Sequence, residues 1–273
     1  MSLVRRHLAK HAALQAAAAS SQGDGLATIV PATVASPADG QASSPPPAPI
    51  GAEAQLAMTR LRVDLQRLKE IQSVERKIDA KRLMLPEYDD YIAGLLAAAR
   101  EAGAGVTDEV LPTVMVWRID VGDYQGALDL ADYVLRWSVP LPHRYQRAAA
   151  TLVTEEIADA ALKLLPDAPF DLDVLFRLDE LVADEDMHDQ VRAKLKKAIG
   201  LELARRAATD PGESAIAGEV AAAQRVALDQ LKRALALNPK AGVKKQIDTL
   251  ERAIAKQPDA EAAGGQAPPA DIG

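Results

Sequence analysis

Three carboxylates lie close together in the sequence, at Glu155, Glu156 and Asp159. Glu155 and Asp159 are four positions apart, so both lie on one face if this segment is helical. Carboxylates held together in this way can bind Mg²⁺, the metal that phosphodiester cleavage commonly uses. The segment is therefore the candidate catalytic site of a nuclease, with Mg²⁺ as its cofactor. The alternative is that Glu156 or its neighbours pair with Arg144 or Arg147 on the same predicted helix.

The second candidate chemistry is phosphate binding by clustered Lys and Arg side chains. Residues 191–257 hold 14 basic and seven acidic residues, and residues 53–85 hold eight basic and five acidic ones. Such charge attracts nucleic acid by releasing counterions and needs no special geometry. The alternatives are a solvated helix face or a partner for an acidic part of the same chain. The candidate DNA-binding residues are Arg60, Arg67, Lys194, Lys196, Lys197, Arg205, Arg206, Lys232, Arg233, Lys244 and Lys245.

The middle of the chain carries the opposite charge. Residues 86–190 hold seven basic and 22 acidic residues, although the net charge of the whole chain is only −7. An acidic middle between basic ends can screen itself, pair head to tail with a second copy, or leave a regional surface for anions. The acidic overall balance therefore does not exclude nucleic acid as a partner.

Several chemistries are excluded by the residues that the sequence lacks. There is no cysteine, which excludes a disulfide framework, a thiolate nucleophile and a Cys-ligated zinc site. No glycine is followed by lysine, so the phosphate loop of ATPases is absent. No apolar run approaches the roughly 18 residues that a membrane span needs, so we expect no membrane partner.

The amino-acid composition and the positions of helix-breaking and helix-capping residues predict an all-α protein built from antiparallel helix hairpins. Aromatic residues make up only 3% of the chain, and no segment alternates between apolar and polar residues as a strand does. We expect one long helix over 53–85, which ends before Pro86 because the residue preceding a proline disfavours helical backbone. Shorter helices are predicted at 87–101, from a Thr107 cap to Gly122, from an Asp123 cap to Trp137, and at 142–165, 171–183, 187–208, 213–237 and 241–256.

The same signals divide the chain into five segments. They are a flexible basic arm with a Pro/Ala/Ser-rich linker (1–52), a long basic helix (53–85), an acidic helical core (86–190), a basic helical region (191–256) and a disordered tail (257–273). The long helix carries an apolar stripe at a near-heptad spacing, which is typical either of a coiled coil that makes a homo-oligomer or of an ordinary amphipathic helix. The stripe consists of Leu61, Leu65, Leu68, Ile71, Val74 and Ile78.

One segment, residues 85–162, resembles a known family. The motifs that carry the resemblance are Leu85-Pro86-Glu87-Tyr88, Val114-Met115-Val116-Trp117-Arg118, Asp120-x-Gly122-Asp123-Tyr124, Thr151-Leu152-Val153 leading into Glu155-Glu156-Ile157-Ala158, and the later Ala241-Gly242-Val243-Lys244-Lys245. In these the chain is similar to the small terminase subunit family of cos-type tailed temperate phages.

The resemblance implies a DNA-packaging protein in the cytoplasm of a host bacterium. It would bind double-stranded phage DNA at the cos site, assemble as a homo-oligomer and recruit the large terminase subunit, which is an ATPase. It also implies the DNA endonuclease activity that directs cos cleavage, but it assigns no catalytic or metal-binding residue in this sequence. Without the resemblance, the helical pattern alone also fits a helical-repeat adaptor that binds proteins and has no nucleic-acid role.

Overall fold

We describe residues 51–165, 167–209 and 217–256 from a computed structural model of the chain; side chains are described from residue 220 onward in the last range. The predicted basic arm and linker (1–52, apart from its last two residues) and the predicted tail (257–273) lie outside these ranges. None of the helices in these ranges is long and apolar enough to cross a membrane.

Every regular element within the described ranges is helical, which confirms the predicted all-α class. A 3-10 turn at Leu85–Tyr88 joins the second and third α-helices. The α-helices are α1 (Ala52–Glu70), α2 (Val74–Met84), α3 (Asp89–Ala102), α4 (Val110–Asp120), α5 (Tyr124–Arg136), α6 (Ala149–Leu164), α7 (Leu172–Leu181), α8 (Asp189–Thr209), α9 (Ala217–Leu237) and α10 (Lys244–Ala255).

The core forms around α4 and around the pair α8 and α9. Helix α4 is apolar on nearly every side and is enclosed by α1, α2, α5 and α6. Helix α8 packs against α6, α7 and α9, and α10 lies against α9. The close approach of α8 to α9 depends on Gly200, because a Cβ atom there would lie 2.7 Å from the side chain of Leu231.

The predicted long helix over 53–85 is wrong in one respect, because the chain breaks it at residues 71–73. Ile71 ends α1 with extended backbone, and the Ser73 hydroxyl accepts a hydrogen bond from the Arg76 amide to start α2. A serine that caps a new helix offers the backbone an alternative to continuing the old one. Leu61 and Leu68 of the predicted stripe are buried in the protein's own core, whereas Val74 is 71% exposed. The oligomer itself stays a prediction.

Two other predicted helix starts need correction. The helix predicted over 142–165 begins only at Ala149, and the preceding segment is irregular after Pro140 and Pro142. The predicted Thr107 cap is also wrong, because the Asp108 carboxylate accepts the Leu111 amide at 2.9 Å and α4 starts at Val110.

Candidate nucleic-acid interface

The candidate catalytic carboxylates lie on α6 and contact a lysine of α8. Lys194 Nζ is 2.9 Å from Glu155 Oε1 and 2.9 Å from Asp159 Oδ2, so the ammonium group sits between the two carboxylates. This is the position from which a metal ion would bind both of them. In the residues described, there is no group of three or more His, Asp or Glu side chains arranged to hold a metal.

Arg147 completes this cluster from the irregular segment before α6. Its guanidinium is 2.7 Å from Glu155 and 3.5 Å from Glu156. The hydrogen bond from Lys194 is the main reason that the pKa of Glu155 lies below its usual value. The alternative pairing of Glu156 and its neighbours with Arg147 is therefore present, although Arg147 lies outside the helix. We describe these residues as an ion-pair cluster that fastens α8 to α6.

Two further candidate DNA-binding lysines of α8 are also engaged by the protein. Lys196 Nζ is 2.8 Å from Asp179 of α7, and both side chains are more than four-fifths buried. Lys197 Nζ donates to the Ala241 carbonyl at 2.8 Å, which ties α8 to the turn between α9 and α10. These lysines hold the basic helix against its neighbours and leave little of their charge for a ligand.

The arginines at the C-terminal end of α8 surround a buried carboxylate. Glu202 has a 0% exposed side chain and accepts hydrogen bonds from Arg205 at 2.8 and 2.9 Å and from Arg206 at 2.9 Å. The Phe170 amide also donates to it, at 3.4 Å. Burial alone would raise the pKa of Glu202, but these bonds outweigh it and hold the pKa below the usual value. Arg205 and Arg206 therefore neutralise a charge inside the protein.

Three other candidate cations form ion pairs from exposed positions. Arg60 is 2.9 Å from Glu87, Arg67 is 3.4 Å from Asp64, and Lys232 of α9 is 2.7 Å from Glu251 of α10. Each of these basic side chains is more than two-fifths exposed. Glu87 and Glu251 are exposed as well, and exposed pairs contribute little to stability, so Arg60 and Lys232 can exchange a carboxylate for another anion at low cost. Asp64 is buried, so Arg67 would leave a buried carboxylate.

A small set of candidate cations has no ion pair within the described part of the chain. Arg233 lies on α9, and Lys244 and Lys245 begin α10; all three are exposed. Lys240, in the turn between these helices, is also exposed and unpaired in the same sense. We call Arg233, Lys240, Lys244 and Lys245 the free cation group. Charge counting cannot distinguish this group from the paired lysines of α8, because the partners are far away in sequence.

Helix α1 shows the same limit of charge counting. Arg60 and Arg67, which were candidates, have partners, whereas the exposed Arg62 and Lys69 on the same helix form no ion pair with a described residue. They are candidate cations that the prediction missed; the available signal was that no acidic residue lies three or four positions away from either of them on the helix.

The motif Leu85-Pro86-Glu87-Tyr88 holds α1 onto the core. The Tyr88 hydroxyl donates to the buried Asp64 carboxylate at 2.8 Å, and its ring meets Trp117 edge to face at 5.9 Å. Glu87 forms an ion pair with Arg60 of α1. A buried tyrosine needs such a polar partner for its hydroxyl.

The motifs around Arg118 have a comparable structural role. Arg118 bonds Asp89 at 2.8 Å and also bonds Asp123, so it connects the start of α3 to the turn between α4 and α5. Gly122 allows this turn because its φ of 84° is in the left-handed region that glycine tolerates. Asp123 then caps α5 by accepting the Gly126 amide at 3.0 Å, which confirms the predicted cap.

Comparison with known proteins gives the family to which these motifs belong. The family described as the phage small terminase subunit matches residues 58–190. The chain is also 39% identical over 145 residues to the "Terminase, endonuclease subunit" of Escherichia phage P2, which covers 53% of this chain and 57% of that protein. The chain thus spans a little over half the length of this relative. No solved structure shows significant similarity to the present chain. The predicted resemblance is confirmed, because residues 58–190 match the phage small terminase subunit family and the chain is similar to a terminase subunit of phage P2.

Proposed function

We propose that this chain acts as a phage terminase small subunit. It binds double-stranded viral DNA at the cos site, directs its cleavage, and passes it to the large ATPase subunit for packaging into procapsids in the cytoplasm of the host bacterium. The observation that carries the proposal is the family match over 58–190. The name of the phage P2 relative supports an association with cleavage.

The free cation group is the proposed DNA contact. Its members are exposed and form no ion pair with a described residue, so a DNA phosphate can neutralise them without breaking a contact in the protein. The paired cations of α8 would first have to leave buried or half-buried carboxylates. Each phosphate that a protein neutralises releases counterions, which makes the affinity fall with added salt.

The test compares two variants that each remove two exposed cations that form no ion pair with a described residue. One is Lys244→Ala with Lys245→Ala, and the control is Arg100→Ala with Lys163→Ala on α3 and α6. Fluorescence anisotropy with a cos duplex, titrated from low to high salt, gives the affinity and its salt slope. In a plot of log affinity against log salt concentration, we expect the slope of the first variant to be less steep than that of the wild type by about 1.8, and the slope of the control to equal that of the wild type. Equal effects of the two variants would refute the assignment, and no binding by the wild type would favour the protein-binding adaptor.

For the cleavage step we propose that Glu155, Glu156 and Asp159 do not bind Mg²⁺ while Lys194 is in place. The support is the contact of its ammonium with two of these carboxylates. We therefore expect Glu155→Gln with Asp159→Asn to leave any Mg²⁺-dependent nicking of a cos plasmid unchanged. Nicking that is lost while DNA binding is retained would restore these residues as the metal site.

A further inference from the structure

A groove lies beside α10, next to the proposed DNA contact. It has a volume of about 360 Å³, and its walls come from α8, α9 and α10. Its lining includes Ala204 and Ala208 of α8 and Leu250 and Ala253 of α10. Lys245, a member of the free cation group, lines the same groove.

The groove also contains a hydrogen-bond acceptor without a donor. Gln246 Oε1 is buried and accepts no hydrogen bond from any group in the described ranges. A buried acceptor that stays unpaired costs free energy, so it favours an occupant that brings an N–H group. A polypeptide backbone brings such groups, whereas a DNA phosphate brings only acceptors.

We propose that residues 257–273 of this chain dock in this groove and shield the adjoining lysines from DNA. This inference rests on the proposed function, because it assigns a regulator to the proposed DNA contact. The segment contains Asp259, Glu261 and Asp271 and has no basic residue, and its other residues are mostly Ala, Gly and Pro. Its charge complements Lys244, Lys245, Arg252 and Lys256, all of which are exposed on or next to α10.

The segment is long enough to run back along α10 from its C-terminal end to its N-terminal end. It begins immediately after Lys256, which follows α10, and Ala253 of the groove is only four positions before its first residue. The 12 residues of α10 extend about 18 Å, whereas the 17 residues of the segment reach up to about 56 Å when extended. Asp271, which is 15 positions beyond Lys256, can therefore reach Lys244 and Lys245 at the far end of the helix, whereas Asp259, only three positions beyond Lys256, lies within reach of Arg252 and Lys256. Because the segment is covalently attached, its effective concentration at the groove is on the order of millimolar, and a weak contact is enough.

A spin label tests the docking without any DNA. The chain has no cysteine, so Gly265→Cys provides a single labelling site in the segment. We expect the nitroxide to reduce the amide signals of Thr249 and Ala253 by about twofold or more and to leave Ala127 of α5 unchanged. The same label in a chain with Asp259→Asn, Glu261→Gln and Asp271→Asn should lose most of this effect. Unaffected groove signals in the fully charged chain would overturn the proposal.

A mixed sample shows which copy supplies the segment. Isotope-labelled chain without a nitroxide is combined with unlabelled chain that carries it. If the groove signals weaken in this mixture as much as in the single-chain sample, the segment comes from a second copy, and docking within one chain is refuted.

DNA binding then tests the shielding separately. We expect the charge-neutralised chain to bind the cos duplex about threefold more tightly at low salt, because a covalently attached competitor of this effective concentration has been weakened. Equal affinity of the two chains would refute shielding. If neither chain binds DNA while the nitroxide effect is present, the docking stands and the proposed DNA function fails.

Discussion

Replacement of Arg205 should reveal that this arginine stabilises the fold and does not bind DNA. In Arg205→Ala the buried Glu202 loses the side chain that donates two of its hydrogen bonds. Arg206 and the Phe170 amide remain as partners. The carboxylate is then only partly compensated in a site that water does not reach.

The size of the effect follows from the exposure of the pair. Removal of one partner of a fully buried ion pair costs about 3–5 kcal/mol, because an uncompensated charge remains. Here Arg206 remains, and the Arg205 side chain is 24% exposed, so we expect about 2 kcal/mol. For a chain of this size that corresponds to a melting temperature lower by about 4–8 °C.

The assay is thermal unfolding followed by circular dichroism, with Arg233→Ala as the matched control. Arg233 is exposed on α9 and has no ion pair with a described residue, so its removal should change the melting temperature by less than about 2 °C. We expect the reverse order for DNA affinity, which Arg233→Ala should lower and Arg205→Ala should leave nearly unchanged. A stable Arg205→Ala protein with weakened DNA binding would refute this division of the cations.

Three further outcomes can be measured by scanning calorimetry. Asp108→Asn should raise the melting temperature at pH 7, because burial raises the pKa of Asp108 and its ionised form therefore destabilises the folded state. This cost disappears as the pH falls, so the melting temperatures of the wild type and the variant should become equal near about pH 4. The pKa values of Glu155 and Glu202 are lowered in the folded protein, so these ionised carboxylates should stabilise the wild type above about pH 4.5 and lose this effect as the pH falls further. A melting temperature that rises as the pH falls below about 4.5 would contradict this. Leu68→Asp should unfold the protein because Leu68 is 7% exposed, whereas Val63→Asp, at 52% exposure, should not. A Leu68→Asp chain that still shows an unfolding transition, and whose mass by light scattering is lower than that of the wild type, would instead support a seam between subunits.

The helices were predictable because their signals are local. Asp123 caps α5, and Gly122 precedes it in the turn conformation that ends α4. The break at Ser73 is equally local but was missed, because the apolar stripe continues through it and periodicity dominated the prediction. A serine cap gains one hydrogen bond for the backbone, and such small local terms decide whether a long polar helix continues.

The roles of the α8 lysines were not predictable, because their partners are distant in sequence, whereas Glu202 lies only three and four positions before Arg205 and Arg206. Lys194 finds its carboxylates 39 and 35 positions earlier, and Lys196 pairs 17 positions away. The charge pattern left open self-screening, head-to-tail pairing with a second copy, and a surface for anions. For these two lysines the first is observed, because carboxylates of the same chain neutralise them. Glu155 and Asp159 were predicted to share a helix face, and they do, but the cation between them is a lysine.

This pairing has a consequence for where DNA can bind. The matched family segment ends at residue 190, and the paired lysines of α8 follow immediately, fastening the basic region to the acidic helices α6 and α7. The free cation group lies beyond them, on α9, on α10 and in the turn that joins these two helices. Charge that is neutralised inside the protein cannot release counterions from DNA, so the number of phosphates bound should follow the unpaired cations and not the total basic count. A salt slope that matched all 14 basic residues of 191–257 would mean that DNA displaces these internal carboxylates, and α8 would then have to detach from α6 and α7 on binding.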